Sequence, residues 1–226
     1  MDELKIISPM LDNFAVGGVI SDHNGVRCYP AMDETNGEKY IVKVISIPAS
    51  RTQLDAFLLS GAYANEESAM VYFTEQAEEL VKETQVLEKL AQLEGYFAYD
   101  KVQLVPAEDG APVQVYLLGK YKRTLERSMQ KKPMTYLSAV NLGLDLCAAL
   151  TVCRRCGFLY SDLRPGNIYV TENNNYLIGD LGFLRLDSLK FASLPDRYRS
   201  AYTAPEIADA FSSLNTTIDV YAVGMI

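Results

Sequence analysis

Three residues carry the chemistry this chain could do. Asp162 and Asn167 stand five residues apart in the segment Tyr160-Ser161-Asp162-Leu163-Arg164-Pro165-Gly166-Asn167, and Asp180 follows eighteen residues after Asp162, opening Asp180-Leu181-Gly182. Held together, Asp162 can orient and deprotonate a hydroxyl. Asn167 and Asp180 can offer hard oxygen ligands to Mg²⁺ ions that bridge the phosphates of a nucleotide. Few structural roles need a carboxylate, an amide and a second carboxylate at these distances around a Pro-Gly turn.

Such a site needs elements to position it. The run from Thr135 to Cys156 reads as a long helix, with Val140, Leu144, Ala148 and Val152 four apart and Gly157 as its stop. After the first aspartate, Asn167–Val170 and Tyr176–Gly179 read as a hairpin turned by Glu172-Asn173-Asn174-Asn175, which returns Asp180 toward Asp162. Phe183 to Tyr202 shows no steady period and is expected to be a long functional loop. An apolar helix should begin near Thr217, with Asp219 close to its start, and continue past Ile226.

The N-terminal half reads as strands. Phe14–Ile20, Val26–Met32 and Lys39–Ile47 are separated by turns at Ser21–Gly25 and Asn36-Gly37, each with an Asn-Gly signal. Alternation in the third strand puts Lys43 on one face with Ile41 and Ile45. Alone, Lys43 suits a strand-edge lysine whose stem covers apolar surface. Ser68 to Leu93 is helical in pattern, and Leu80, Glu83, Leu87 and Leu90 form one stripe with Glu83 as its polar member. A lone glutamate often flanks such a stripe, but Lys43 and Glu83 together can pair, each relieving the other's desolvation.

Lys101–Val105 and Val113–Leu118 complete a five-stranded antiparallel sheet with one helix. The material between Asp55 and Glu67 has no firm assignment beyond a short helix leading into the longer one. Composition shifts at Leu118 to Lys122, which divides the chain into a small lobe, residues 1–118, and a mainly helical large lobe, residues 119–226, cut off near its central helix. The fold class is α+β.

A net charge of −8 argues against non-specific nucleic-acid binding and attachment to anionic lipid, which need excess Lys and Arg. Four cysteines and one histidine make a poor zinc inventory, so Cys28, Cys147, Cys153 and Cys156 read as thiols of a reducing compartment. No signal peptide is visible, and no run approaches the roughly 18 apolar residues of a membrane span. A cytoplasmic location is the expectation.

These residues resemble a family, the eukaryotic-type Ser/Thr protein kinases, over nearly the whole chain. Lys43 matches the lysine of the VAIK strand and Glu83 the helix glutamate that pairs with it. Asp162 and Asn167 match HRDLxxxN, Asp180-Leu181-Gly182 matches DFG, Ala204-Pro205-Glu206 stands as APE, and Asp219 to Gly224 resembles DVWxxG. The resemblance implies ATP and Mg²⁺ as cofactors and a protein substrate bearing a Ser or Thr hydroxyl. It makes Asp162 the base, Arg164 a contact to the γ-phosphate, Asn167 and Asp180 the metal ligands, and Lys43 the phosphate anchor. Gly17, Gly18, Gly25 and Ile41 would cover the nucleotide. The chain departs from the pattern in several places. Its glycine loop is about three residues longer than GxGxxGxV. Ile41 replaces a small Ala, Tyr160 and Ser161 replace His and Arg, and Arg199 stands where a Thr is usual, with Ser200 and Thr203 nearby. Two other readings use parts of the same pattern: a pseudokinase acting as a binding module, and a small-molecule phosphotransferase of the aminoglycoside or choline type.

Overall fold

The computed structural model describes residues 8–93, 95–106, 112–185, 200–208 and 215–226. Arg199 and the greater part of the expected 183–202 loop lie outside them. The chain forms two compact units, Met1–Thr84 with Tyr99–Tyr121, and Gln85–Ala98 with Lys122–Ile226.

The first unit is built on an antiparallel sheet of β1 (Phe14–Val16), β2 (Ser21–His23), β3 (Val26–Asp33), β4 (Lys39–Ile47), β6 (Lys101–Val105) and β7 (Val113–Lys120). Its order is β1-β3-β4-β7-β6, with β2 also paired to β3. Six strands replace the expected five because the first run breaks at Gly17-Gly18 and resumes at Ser21, inside the expected turn. The turn itself shrinks to Asn24-Gly25, with φ of 49° and 75°. Two consecutive left-handed residues are what a two-residue hairpin requires to match strand twist. Val42 and Val44 of β4 bury with Tyr116 and Leu118 of β7 and with Leu11, Phe14 and Val16. That places Ile41, Lys43 and Ile45 on the opposite face, as alternation dictates.

A helix not firmly assigned from sequence, α1 (Arg51–Leu59), precedes α2 (Glu66–Ala91), so the unit has two helices where one was expected. Ser50 caps α1, its Oγ accepting from Gln53 N at 3.2 Å, and Gln53 Oε1 reaches back past the cap to accept from Ala49 N at 2.7 Å. Arg51 then clasps Glu66 in the first turn of α2 through two bonds of 2.7 and 2.9 Å. Phe57 stacks on both Tyr63 and Tyr72 at 5.1 Å. The buried face of α2 runs through Ala69, Phe73, Ala77, Leu80, Thr84, Leu87 and Leu90.

In the second unit β5 (Tyr96–Phe97), β8 (Arg123–Thr124), β10 (Ile168–Val170) and β11 (Tyr176–Gly179) form a sheet of order β5-β11-β10-β8, and β9 (Phe158–Tyr160) pairs with β12 (Phe183–Arg185). Residues 85–98, which the sequence division at 118 assigned to the first lobe, belong to this unit. The reason is β5, which lies parallel to β11 with Tyr96 opposite Ile178. The helices are α3 (Leu125–Lys131), α4 (Tyr136–Arg155) and α5 (Thr217–Met225).

The predicted stripe of α4 is not its buried face. Leu142, Leu146, Ala149 and Cys153 are buried, whereas Val140, Leu144 and Ala148 are exposed, Leu144 by 64%. Apolar residues occupy both sides of this helix, so periodicity alone cannot choose between them; the packing against β9 and β11 does. The same two-sided composition makes α4 long and apolar enough to cross a membrane, contrary to the sequence expectation. It nevertheless packs within the unit, and its Asp145 accepts a hydrogen bond from Tyr176 N at 2.8 Å.

Candidate active site

The hairpin of β10 and β11 is in register from Ile168 opposite Ile178 to Val170 opposite Tyr176. It carries the chain from Asn167 out to the 172–175 turn and back to Asp180. A second pairing, Phe183 of β12 with Tyr160 of β9, closes the other side. Two short ladders therefore bring the segments 160–167 and 179–183 together. Their approach is close enough to demand a glycine: a Cβ on Gly182 would sit 2.9 Å from Asp162 Cβ, and Gly182 has φ of 140°.

Asp162 is 4% exposed. Arg164 Nε donates to its Oδ1 at 3.0 Å, and Asn167 Nδ2 donates to its Oδ2 at 2.6 Å. The Asn167 amide also donates to Asp162 O at 2.9 Å, so both ends of the five-residue loop are tied. Burial raises the Asp162 carboxyl to about 7; Arg164 opposes that shift and the Asp180 charge adds to it. A buried carboxylate with two donors and a pKa near neutrality is suited to accept a proton from a hydroxyl.

Asp180 is also buried and adopts φ of 72°, a left-handed conformation uncommon outside glycine. Its Oδ1 accepts from Leu181 N at 3.0 Å. The residues fit a Mg²⁺ site by donor chemistry. The Asn167 nitrogen makes both amide hydrogen bonds to Asp162, so its oxygen is not used in holding that carboxylate. No three His, Cys, Asp or Glu side chains gather as a metal cluster among the described residues. One amide and one carboxylate, completed by water and phosphate oxygens, is a donor set that Mg²⁺ takes.

Beneath the site, Asp219 at the start of α5 accepts from Tyr160 N at 3.2 Å through Oδ2, while its Oδ1 is buried with no partner among the described residues. Burial raises its carboxyl to about 8. Ala204 packs with Leu159 and Ile218, and Thr217 Oγ1 donates to Glu206 at 3.4 Å. Ser200 N donates to Thr203 Oγ1 at 2.7 Å, so the two hydroxyl residues near Arg199 belong to one turn.

In the first unit, Lys43 is half-buried on β4 between Cys28 of β3 and Leu117 of β7, and Ile41 lies between Pro30 and Gly119. Glu83 is half-buried on α2, bordering the face that buries Leu80 and Leu87. The three glycines differ. A Cβ on Gly25 would meet Ala49 Cα at 2.5 Å, and one on Gly17 would meet Pro30 Cγ at 2.8 Å, whereas Gly18 has open space. Gly17 and Gly25 thus have a reason to be glycine within the sheet itself.

Two residues read from sequence only as departures contribute directly to the site. Tyr160 Oη donates to Gly179 O at 2.5 Å, and Ser161 Oγ donates to Gly182 O at 2.9 Å. Their signal was present in the sequence: hydroxyls immediately before Asp162, facing a loop whose backbone carbonyls need partners.

Comparison with known proteins gives the same assignment from another direction. The chain is 25% identical over 204 residues to the mitogen-activated protein kinase HOG1 of Scheffersomyces stipitis, covering 89% of this chain and 45% of that protein. It is 30% identical over 105 residues to the serine/threonine-protein kinase PknK of Mycobacterium tuberculosis, covering 46% of this chain and 9% of that one. The chain therefore spans less than half the length of these relatives. The protein kinase domain family matches residues 24–226, which include every residue of the 160–182 site, and the chain belongs to that family.

Proposed function

We propose that the protein is a Ser/Thr protein kinase, transferring the γ-phosphate of ATP to a hydroxyl of a protein substrate with Mg²⁺, in the cytoplasm. The observation that carries this reading is the Asp162 carboxylate, buried, held by Arg164 and Asn167, and set against the Asp180 loop. Asp162 orients the acceptor hydroxyl and takes its proton. Arg164 holds one carboxylate oxygen and keeps the other turned to Asn167. Asn167 and Asp180 would hold the metal, which supplies charge neutralisation at the transferring phosphoryl group. Lys43 anchors the α- and β-phosphates, and Glu83 positions Lys43. The similarity to the protein kinases HOG1 and PknK supports phosphoryl transfer to a protein hydroxyl, and Pro165 after Arg164 accords with Ser/Thr acceptors.

The test is phosphate transfer from labelled ATP to a general protein acceptor, with Asp180→Ala as the control. Incorporation by the wild type and its loss, by at least a hundredfold, in the variant is the expected result. Equal incorporation by both refutes the proposal.

A second reading, a nucleotide-free binding module, is favoured by one observation: the family match begins at residue 24, leaving Gly17 and Gly18 outside it. Thermal unfolding with and without Mg²⁺ and ATP separates the two. A rise in melting temperature that disappears in Lys43→Ala supports the kinase; no rise in the wild type supports the module.

A further inference from the structure

Three backbone carbonyl contacts around Asp180 come from the two residues that precede Asp162. Tyr160 is fully buried, and its hydroxyl donates to the carbonyl of Gly179, the residue before Asp180. Ser161 donates twice to the carbonyl of Gly182, from its backbone N at 2.8 Å and from its Oγ at 2.9 Å. The ring of Tyr160 also packs on Phe183 at 5.1 Å, one residue further along. Between the two braced carbonyls lie only Asp180 and Leu181, and Asp180 holds its left-handed φ there. A residue in a sparsely populated conformation keeps it only where the surroundings over-determine it. Two hydroxyls from one dipeptide are part of those surroundings.

We infer that Tyr160 and Ser161 are positioning residues for metal binding: their hydroxyls brace both ends of the Asp180 loop and hold its carboxylate where a divalent cation bound with a nucleotide triphosphate would need it. The inference rests on the proposed phosphotransfer reading and extends it to two residues that touch neither metal nor substrate. Each brace is a buried or half-buried hydrogen bond to a carbonyl, and removing its donor takes one hydrogen bond from that carbonyl. The two braces are not equivalent. Loss of the Tyr160 hydroxyl removes the donor shown for Gly179 O, whereas loss of the Ser161 hydroxyl leaves the backbone N–H of Ser161 still bonded to Gly182 O. Ser161 therefore tunes the loop without dismantling it.

The test is Mn²⁺ binding, read by electron paramagnetic resonance, to the protein saturated with the non-hydrolysable analogue adenylyl imidodiphosphate. Tyr160→Phe should weaken Mn²⁺ binding by about tenfold and Ser161→Ala by about threefold, the upper and lower parts of the range a lost neutral hydrogen bond gives. Ser161→Thr, which keeps the donor, should match the wild type. Calorimetric binding of the analogue without metal should be unchanged in all of them. If Tyr160→Phe unfolds, Ser161→Ala and Ser161→Thr carry the comparison. Equal Mn²⁺ affinity in wild type and Ser161→Ala overturns the inference while leaving the kinase reading intact. A wild type that binds neither Mn²⁺ nor the analogue overturns both.

Discussion

At the scale of single residues, the contact between Gly182 and Asp162 is the most exacting feature of the site. The nearest atom a Cβ would meet is Asp162 Cβ, at 2.9 Å, and the next is Asp162 N at 3.3 Å; neither belongs to a flexible side-chain end. With φ of 140°, an alanine also adopts a conformation open essentially to glycine alone. Gly182→Ala should therefore displace Asp162 from its two donors and cost about 2–3 kcal/mol in stability. Phosphotransfer should fall much further than stability, because the misplaced group is the proposed base. Chemical denaturation together with kinetics checks this; a variant with wild-type kcat would show that the approach is not needed. By contrast Gly18, with nothing within 4 Å of an added Cβ, should accept alanine with little effect on folding.

At the scale of elements, what the sequence disclosed depended on whether the signal was local. Asn24-Gly25, the β10–β11 hairpin and the spacing from Asp162 to Asp180 are local: the first sets the β2–β3 turn, and the hairpin returns Asp180 toward Asp162 as expected. Short strands such as β5, β8, β9 and β12 have two or three residues and exist only through long-range pairing, so no periodicity announces them. The same cause hid the transfer of residues 85–98 to the second unit. Helix α4 failed differently: its two apolar sides offered two stripes, and the one with regular spacing of four was the exposed one. Leu146→Ala should cost about 2–4 kcal/mol, as for a fully buried leucine, while Leu144→Ala should stay within about 0.5 kcal/mol. Equal losses at the two positions would restore the original stripe. For α1, the ring cluster supplies what its short length does not. Phe57→Ala removes the ring that meets Tyr63, Tyr72 and Phe73 at 5.1 Å, and should destabilise the first unit by about 1–2 kcal/mol.

At the scale of the whole molecule, two of the three buried aspartates among the described residues, Asp162 and Asp219, have raised carboxyls that make stability vary with pH. Asp219 is raised to about 8 and Asp162 to about 7, burial being the larger cause in both. Around Asp219 the titratable neighbours are Tyr96, raised by burial beyond the physiological range, and Cys153, raised to about 12, so both stay neutral and neither compensates its charge. The sign follows from linkage. A carboxyl with a folded pKa above its unfolded value favours the folded state most when protonated, so its contribution is complete below about pH 4 and is lost as pH rises through 7 to 8. The exposed carboxylates Asp33 and Glu66 are shifted downward and are already ionised above that window's lower edge, so they do not reverse the trend. Rising pH also deepens a net charge that is already −8, which adds self-repulsion. The melting temperature should consequently fall between pH 5 and pH 8.5. Asp219→Asn, which retains an acceptor for Tyr160 N but cannot ionise, should show a shallower fall whatever its absolute stability. At about 1.36 kcal/mol per pKa unit, the slope assigned to Asp219 amounts to a few kcal/mol across the window. Parallel curves for wild type and Asp219→Asn would place the titration elsewhere, because the comparison reads the ionisation of this one carboxyl and not the strength of the fold around it.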